Sequence, residues 1–373
     1  MLRAFFAAGD IPRAVGCVLA LAPCALAASV VEIPFIDALV AAARRGIVFR
    51  DAASVESVGA AGTVALCMGG TVTRGELELT DVVALGGRSE QAVLALVAGC
   101  EESMIGDPIA ASVARAMEAR GLRPESVRRP VPLAGNGVVA MSAAGEPIVL
   151  GNTRALLDEG ISAAQGESVA AAIEGAGRSV VYVAADGRLE GVIGFEDPVR
   201  DEARASVQSM IDVGFDVALL GGGSRATMEA IAAQLDVSNL RPEVSRDDRA
   251  SVVRGMSEIG NGVVVIGRPA RDGAALAAAD AAISLEAAGG GGGETAVALA
   301  SDDLRDAAAA LSLARRARER ALRVIALGIG GAGAGAFAAA AIPSAGMIGV
   351  LGAAAAILLG QAVVLRARER DEA

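Results

Sequence analysis

Residues 63–76 read T-V-A-L-C-M-G-G-T-V-T-R-G-E, and this stretch decides the predicted fold. It opens with residues that favour β-strands and continues into two glycines and a threonine-rich turn. That order is typical of a buried parallel strand whose last residue lies at a ligand crevice, at the carboxyl edge of an open α/β sheet. The residue predicted at that edge is Cys67.

The composition excludes several kinds of chemistry. The 373 residues contain no histidine and no lysine, so all 33 basic residues are arginine. This excludes a lysine nucleophile, a histidine general base and a histidine metal ligand within these residues. The net charge of -11 and the single tyrosine, without tryptophan, argue against a nucleic-acid partner. The four cysteines form no C-x-x-C pair, so neither a zinc site nor a disulfide framework is indicated.

Apolar runs near both ends predict membrane spans. The hydrophobic fraction of 53% is high for a soluble protein, and residues 15–31, 324–342 and 347–365 contain no charged side chain. Arginines follow the first run, precede the second and follow the third, and the positive-inside rule places all of them in the cytoplasm. We therefore expect three transmembrane helices. A secretory signal or a lipoprotein motif ending at Cys24 is the alternative for the first run.

The motifs around Cys67 resemble those of the P-type ATPases, and of their heavy-metal subfamily in particular. Gly70, Thr71, Thr73 and Gly75 match the family pattern D-K-T-G-T followed by L-T-x-G. Cys67 stands where the family carries the aspartate that becomes phosphorylated. The resemblance implies an α/β chain with a Rossmann-like, HAD-type phosphorylation domain, an inserted α+β nucleotide-binding-like domain and three transmembrane helices.

The resemblance also implies where these parts lie. Residues 1–50 hold the first transmembrane helix and a cytoplasmic connector. Residues 51–85 and 187–310 form the phosphorylation domain, and residues 86–186 form the nucleotide-binding-like insert. Residues 311–373 hold two transmembrane helices and a cytoplasmic tail. This corresponds to the carboxyl-terminal part of a heavy-metal pump, as a multi-pass protein of the cell membrane whose bulk is cytoplasmic.

Several family positions in the phosphorylation domain carry other residues here. Three glycines stand in place of the family's T-G-D, and Arg249 takes the position of its phosphate-neutralising lysine. Arg268 replaces an aspartate that is a magnesium ligand in the family, Arg271 replaces an asparagine, and Asp272 is retained. The resemblance thus implies a catalytic set of Cys67, Thr71, Arg249 and Asp272. It implies cofactor contacts at Asp107, Gly135, Gly137, Gly221, Gly222, Gly223, Arg268 and Arg271.

This set cannot perform the family's phosphoryl transfer. That reaction needs a carboxylate nucleophile and a magnesium ion held by oxygen ligands, and here one carboxylate remains beside repelling arginines. We therefore predict no aspartyl phosphate. Three interpretations stay open for the pocket. It binds an anion without metal, or its arginines pair with carboxylates such as Asp197, Asp247 and Asp272, or Cys67 acts as a nucleophilic or redox thiol.

Two further motifs carry predicted ligands. In the insert, I-G-D-P places Asp107 where the family's S-E-H-P marker has histidine, and G-N-G-V includes Gly135 and Gly137. These glycines contact ATP or are a structural remnant. Near the amino terminus, L-A-P-C-A-L resembles a CPC motif with one thiol, Cys24, assisted by Cys17. These thiols bind a heavy-metal ion, or the proline only kinks a structural helix.

We therefore expect a catalytically degenerate heavy-metal P-type ATPase homologue that binds or regulates and does not hydrolyse ATP. Its partners would be the membrane and an intact P-type pump, or a separately encoded amino-terminal half, with no nucleic acid. ATP is one candidate ligand and is left open, as is a heavy-metal ion, and magnesium is not expected. The alternatives are a cation-transporting ATPase acting as part of a split pump, and a decaying gene product without selected function.

Overall fold

The computed structural model describes residues 24, 27–28, 30–102, 107–133, 137–259, 262–285 and 295–341. They divide into two compact units. The core unit is Ala61–Ala308, and the flanking unit combines the residues before and after it.

The described strands are short, whereas the helices differ widely in length. The strands are β1 (Ile47–Phe49), β2 (Thr63–Cys67), β3 (Glu78–Ala84), β4 (Val127–Leu133), β5 (Gly137–Ser142), β6 (Pro147–Gly151), β7 (Ser179–Ala185), β8 (Arg188–Glu196), β9 (Asp216–Leu220), β10 (Asn239–Arg241), β11 (Val263–Gly267), β12 (Ala281–Ser284) and β13 (Val297–Leu299). The helices are α1 (Ile33–Ala43), α2 (Ala52–Ala60), α3 (Glu90–Glu101), α4 (Pro108–Arg120), α5 (Thr153–Asp158), α6 (Glu167–Gly175), α7 (Ala203–Asp212), α8 (Arg225–Leu235), α9 (Arg249–Ile259), α10 (Pro269–Ala278) and α11 (Leu304–Ala341).

A parallel sheet lies at the centre of the core unit. Its strands run in the order β13-β12-β11-β2-β9-β10, and each neighbouring pair is parallel. Strand β2 lies inside the sheet, with Leu66 beside Ile266 on one side and Cys67 beside Leu220 on the other. Its residues are buried on both faces, which explains the unbroken apolar run in the sequence. The predicted α/β class is confirmed.

An antiparallel sheet forms the rest of the core unit. Its order is β3-β8-β7-β6-β5-β4. Helices α3 and α4 cover one face and α5 and α6 cover the other, so adjacent residues such as Ile148 and Val149 belong to different apolar clusters. The sheet extends from residue 78 to residue 196 because β3 and β8 pair with each other. It is therefore wider than the predicted insert at residues 86–186.

The flanking unit brings α2 and α11 into close contact. A side chain at Gly59 would collide with the backbone of Ala314, and Arg315 donates a hydrogen bond from Nη1 to the Gly59 carbonyl at 2.9 Å. Most of the predicted first apolar run and all of the third lie outside the described residues, whereas α11 includes most of the second. Within the described ranges, no helix is both long enough and apolar enough to cross a bilayer.

Candidate functional site

Cys67 lies at the carboxyl end of β2, where the sequence places it. Its side chain is completely buried. Burial raises the pKa of the thiol far above its usual range, and the Asp272 carboxylate raises it further. Arg249 and Arg271 lower the pKa, but they do not offset those two effects. The thiol is therefore protonated, and the neighbouring arginines do not generate the nucleophilic or redox-active thiolate considered from the sequence.

The chain turns tightly after Cys67, through a π-helical turn at Met68–Val72. Gly70 adopts a φ of 80°, which favours glycine. Asp197 fixes the exit from the turn because its carboxylate accepts hydrogen bonds from Thr73 Oγ1 at 2.6 Å and from the Gly75 amide at 2.7 Å. Burial raises the pKa of Asp197 against the effect of these two bonds. Thr71 is buried in the turn, and its hydroxyl has no hydrogen-bond partner among the described residues.

Two guanidinium groups converge on this turn. Arg200 donates from Nε to the Thr73 carbonyl at 3.0 Å and from Nη2 to the Gly70 carbonyl at 3.3 Å. Arg268 donates from Nε to the same Gly70 carbonyl at 2.7 Å. Both arginines also bond to one carboxylate oxygen of Asp302, at 3.0 Å from Arg200 and 3.3 Å from Arg268. Hydrogen bonding by Arg200 lowers the pKa of Asp302, so this counter-charge is ionised at neutral pH.

Asp272 is held by two arginines of the pocket. It is 2% exposed, pairs with Arg249 and accepts a hydrogen bond from the Arg268 amide at 3.0 Å. It lies in the first turn of α10 with a non-helical φ of -119°. The arrangement supplies one buried carboxylate with two donors before any ligand is present.

Arg271 lies directly over the turn. A side chain at Gly69 would come within 2.8 Å of Arg271 Nη2, and one at Gly75 would come within 3.2 Å of Nη1. Burial lowers the pKa of Arg271, with Asp272 opposing this effect. Among the described residues, its guanidinium forms no hydrogen bond and no ion pair. Arg271 thus differs from Arg200, Arg249 and Arg268, which all have bonded partners.

The three glycines after β9 are tied to the neighbouring segment. The Gly221 amide donates to the Arg241 carbonyl at 3.2 Å, and the Gly223 carbonyl accepts from the Glu243 amide at 3.0 Å. Helix α8 begins afterwards and is capped by Ser224, whose hydroxyl accepts from an amide in the first turn. Gly222 lies between these two fixed glycines, so the segment is a bonded loop and not a free glycine-rich arm.

In the insert, the predicted ligand residues have structural roles. Asp107 caps α4 by accepting from the Ile109 amide at 2.8 Å. Gly137 opens β5 with a φ of 144°, and a side chain there would collide with the Leu150 carbonyl. Close strand pairing therefore explains this glycine without a ligand. Gly135 lies outside the described residues.

The predicted heavy-metal ligands do not form a visible set. The Cys24 thiol donates to the Gly328 carbonyl at 3.7 Å, and Cys17 lies outside the described residues. In the part of the chain that the structure describes, no three His, Cys, Asp or Glu side chains lie close enough together to hold a metal ion.

With this geometry established, comparison with known proteins identifies the family. Residues 63–313 match the family model for haloacid dehalogenase-like hydrolases. The chain belongs to this hydrolase family.

Curated relatives of this hydrolase-family chain include proteins named copper-transporting ATPases. It is 33% identical to Copper-transporting ATPase 2 of Rhizobium meliloti (strain 1021), over 73% of the chain and 33% of the relative. It is 31% identical to the probable copper-transporting ATPase PacS of Synechococcus elongatus, over 70% of the chain and 34% of the relative. The chain thus spans about a third of the length of the curated relatives it matches. The predicted resemblance to a carboxyl-terminal part of heavy-metal P-type ATPases is confirmed.

Solved structures agree on the fold. A zinc-transporting PIB-type ATPase in its E2.Pi state superposes with a TM-score of 0.54 and 22% identity, covering 95% of the chain and 55% of that protein. The catalytic domain of the CPx-ATPase CopB-B gives a TM-score of 0.56 and 17% identity, covering 72% of the chain and 96% of that domain. The combination of a HAD-type domain with a nucleotide-domain neighbour is therefore confirmed.

Magnesium, which the fold family implies, does not fit the residues of this haloacid dehalogenase-like site. The ion prefers a near-octahedral set of oxygen ligands. Here Cys67 presents a protonated sulfur, Gly223 has no side chain, and Arg268 brings a positive charge. Asp272 is already bonded to Arg249 and to the Arg268 amide. These residues therefore do not form a magnesium site.

One residue of this haloacid dehalogenase-like site had no signal in the sequence. Asp302, which binds both Arg200 and Arg268, lies in the segment before α11. It belongs to the stretch S-D-D-L-R at residues 301–305, and its spacing from Arg268 in the sequence does not relate the two positions. Of the carboxylates predicted to pair with the arginines, Asp272 does so with Arg249.

Proposed function

We propose that this chain is a catalytically degenerate heavy-metal P-type ATPase homologue that acts by binding or regulation and does not hydrolyse ATP. One observation carries the proposal: the nucleophile position holds the buried thiol of Cys67, where the family has a carboxylate. The family's covalent intermediate is an aspartyl phosphate, and loss of the carboxylate nucleophile ends that mechanism.

The surrounding arginines support the same proposal. Arg268 bonds to the turn that follows Cys67, and Arg271 lies against Gly69 in the same turn. Their positive charges would repel a magnesium ion and so weaken the metal-bound nucleotide that phosphoryl transfer requires. In this role the pocket around Cys67 does not catalyse phosphoryl transfer, and the chain acts by binding or regulation.

The proposed setting is the cell membrane. We propose three transmembrane helices with the bulk of the chain in the cytoplasm, and as partner an intact P-type pump or a separately encoded amino-terminal half. The supporting observations are the apolar runs in the sequence, the positions of the arginines and the similarity to copper- and zinc-transporting ATPases. The ATP and heavy-metal predictions stay predictions.

The test is phosphorylation of the purified full chain with γ-labelled ATP and magnesium. We expect no acid-stable, hydroxylamine-sensitive label on the native chain. The matched comparison is Cys67→Asp combined with Gly223→Asp and Arg268→Asp, which restores the family's carboxylates. The site at Gly223 accepts a side chain, since a Cβ there meets only ordinary contacts, at 3.6 Å from Met68 Cε. Labelling of the native chain would contradict the proposal.

A second candidate, part of a split pump, is favoured by one observation. The curated relatives are named copper-transporting ATPases, so ATP-driven cation transport together with a second segment is the alternative role. Coexpression with an amino-terminal half of such a relative, followed by measurement of vanadate-sensitive ATP turnover, separates the two candidates. Turnover that depends on both halves would favour the split pump, and its absence would favour the binding role.

A further inference from the structure

Helix α11 changes in character along its course through the flanking unit. Residues 315–323 read R-R-A-R-E-R-A-L-R, whereas residues 324–334 carry no charged side chain. In this second stretch Ile325, Leu327 and Ile329 are 40% to 63% exposed. A continuous apolar surface of this kind marks an interaction site. Because it directly follows an arginine-rich surface, the helix has the pattern expected at a boundary between water and an apolar phase.

Two contacts show which parts of the flanking unit lie at each level of α11. Arg315 donates to the Gly59 carbonyl of α2 at 2.9 Å, so α2 lies beside the arginine-rich stretch. The Cys24 thiol donates to the Gly328 carbonyl at 3.7 Å, about 20 Å farther along the helix axis. Cys24 belongs to the uncharged run at residues 15–31. Uncharged chain therefore meets uncharged chain at one end of the unit, and the arginines lie at the other.

Three of the arginines share one face of α11. Arg316, Arg320 and Arg323, here called the arginine row, are four and three residues apart, which places them one above the other on the helix. Arg316 and Arg323 are exposed. Leu327 occupies the next position on the same face and is 52% exposed. The arginine row thus leads directly into the exposed apolar surface.

The other charged groups of this stretch leave the arginine row positive. Arg315 bonds to Gly59, and Cβ of Arg318 lies 3.2 Å from where a side chain at Gly59 would begin, so both positions adjoin α2. Glu319 is the single carboxylate between residues 315 and 323, and it pairs with Arg323 at 3.5 Å. Both partners are exposed, and such pairs contribute little to stability. A more strongly binding anion can therefore replace Glu319.

The chemistry of this surface fits an anionic lipid. Guanidinium groups bind phosphate oxygens through paired hydrogen bonds. Clusters of basic residues directly beside an apolar helix are attracted to anionic lipids, and acyl chains would bury the exposed apolar side chains that follow the arginine row. Free phosphate would leave that apolar surface uncovered. The whole chain carries a net charge of -11, so attraction to an anionic lipid must come from a local surface.

We propose that the arginine row binds the phosphate groups of anionic membrane lipids, whose acyl chains cover the apolar part of α11. The inference rests on the proposed membrane setting and adds to it the class of lipid that the chain selects. It uses no residue around Cys67, so it is independent of whether the chain hydrolyses ATP.

Titration of the detergent-solubilised full chain with dioctanoyl phosphatidylglycerol, followed by microscale thermophoresis, tests the proposal. Dioctanoyl phosphatidylcholine has the same acyl chains without net charge, and glycerol phosphate has the anionic group without acyl chains. We expect phosphatidylglycerol to bind at least about tenfold more tightly than either, since each arginine near an anionic membrane surface strengthens association about fivefold. Added salt should reduce this preference.

Substitution of the arginine row links the preference to these residues. The triple variant Arg316→Gln, Arg320→Gln and Arg323→Gln should bind phosphatidylglycerol at least about tenfold more weakly, at the level of phosphatidylcholine. Replacement of the same residues by lysine keeps the positive charge and should retain most of the binding, which separates loss of charge from misfolding. The matched control replaces three exposed, ion-paired arginines of the core unit by glutamine and should bind as the native chain does; these are Arg154, Arg204 and Arg225.

Four results would overturn the proposal. They are equal affinities for the two lipids, equal affinity for glycerol phosphate, unchanged phosphatidylglycerol binding in the glutamine variant, and loss of association with a coexpressed amino-terminal half in that variant while lipid binding is unchanged. The last result would assign the surface to a protein partner. The membrane setting is tested separately. A chain that stays in solution without detergent would contradict that setting, whereas equal lipid affinities in a chain that requires detergent would contradict only the lipid preference.

Discussion

Two regions of the core unit bury charged groups, and they compensate these charges in opposite ways. Around Cys67, the carboxylates Asp272 and Asp302 both bond to arginines of the same pocket. At the end of α3, Glu101 is largely buried, and burial and Asp107 raise the pKa of its carboxyl group to about 7. In the first region the carboxylates bond to arginines, whereas in the second no ion pair of the carboxylate is found among the described residues.

The ion pairs of the first region should contribute strongly to the stability of the fold. Asp272→Ala leaves Arg249 largely buried and without its carboxylate, so we expect a loss of about 3–5 kcal/mol in the free energy of unfolding. Urea denaturation measures it. Asp158→Ala, which breaks the exposed pair with Arg154 on α5, should reduce stability by only about 0.3–0.5 kcal/mol. Similar losses in the two variants would show that the pocket pair is not special.

The second region should instead destabilise the fold when its carboxylate ionises. The pKa of Glu101 is raised from 4.5 to about 7, so the unfolded chain releases this proton at a lower pH than the folded chain. The contribution to stability is therefore present below about pH 4.5 and falls by about 3 kcal/mol as the pH rises to about 7. Glu101→Gln should abolish this fall in denaturation curves recorded across that range, whereas Glu159→Gln should retain it.

Burial in the first region should protect the Cys67 thiol from alkylation. A thiol that is buried and protonated reacts only when the structure opens. We expect iodoacetamide to label Cys67 at pH 8 at least about a hundredfold more slowly in the native chain than in urea, as mapped by mass spectrometry of the digested chain. Labelling of native Cys67 at the unfolded rate would mean that the pocket is open and that the thiol is accessible.

The smallest expected effect concerns Arg271, the arginine of the first region that lacks a bonded partner among the described residues. We expect an anion in this pocket to bind at Arg271. Inorganic phosphate should bind in the millimolar range, equally with and without EDTA. Arg271→Met should weaken that binding about threefold to tenfold, as measured by calorimetry, while Arg154→Met on exposed α5 should not. Binding that requires magnesium would contradict the metal-free interpretation.

The sequence predicted the scaffold better than the contacts within it. The run T-V-A-L-C became β2 with Cys67 at its end, because a buried parallel strand needs unbroken apolar residues and an interruption after its last residue. The retained Asp272 also lies at the pocket, although paired with Arg249. Both features follow from local pattern and from the family resemblance.

The contacts of the arginines could not be predicted in the same way. Arg268 was expected to repel a metal, which concerns its charge, whereas its geometry depends on Gly70 and Asp302, which are far away in the sequence. The burial of Glu101 was likewise not predictable, because the letters E-E at residues 101–102 do not distinguish a buried side chain from an exposed one. Burial and pairing are tertiary properties, and a single sequence does not encode them locally.

The acceptors Gly70 and Asp302, which Arg200 and Arg268 share, have a consequence for substitutions at this site. Replacing Arg268 by aspartate alone removes a bond from Gly70 and places a second carboxylate near Asp302, and replacing Cys67 by aspartate alone sets a buried charge beside Asp272. Each single substitution toward the family's acidic centre is therefore expected to destabilise the fold. The bonds between arginines and carboxylates around Cys67 thus resist a change at one position at a time.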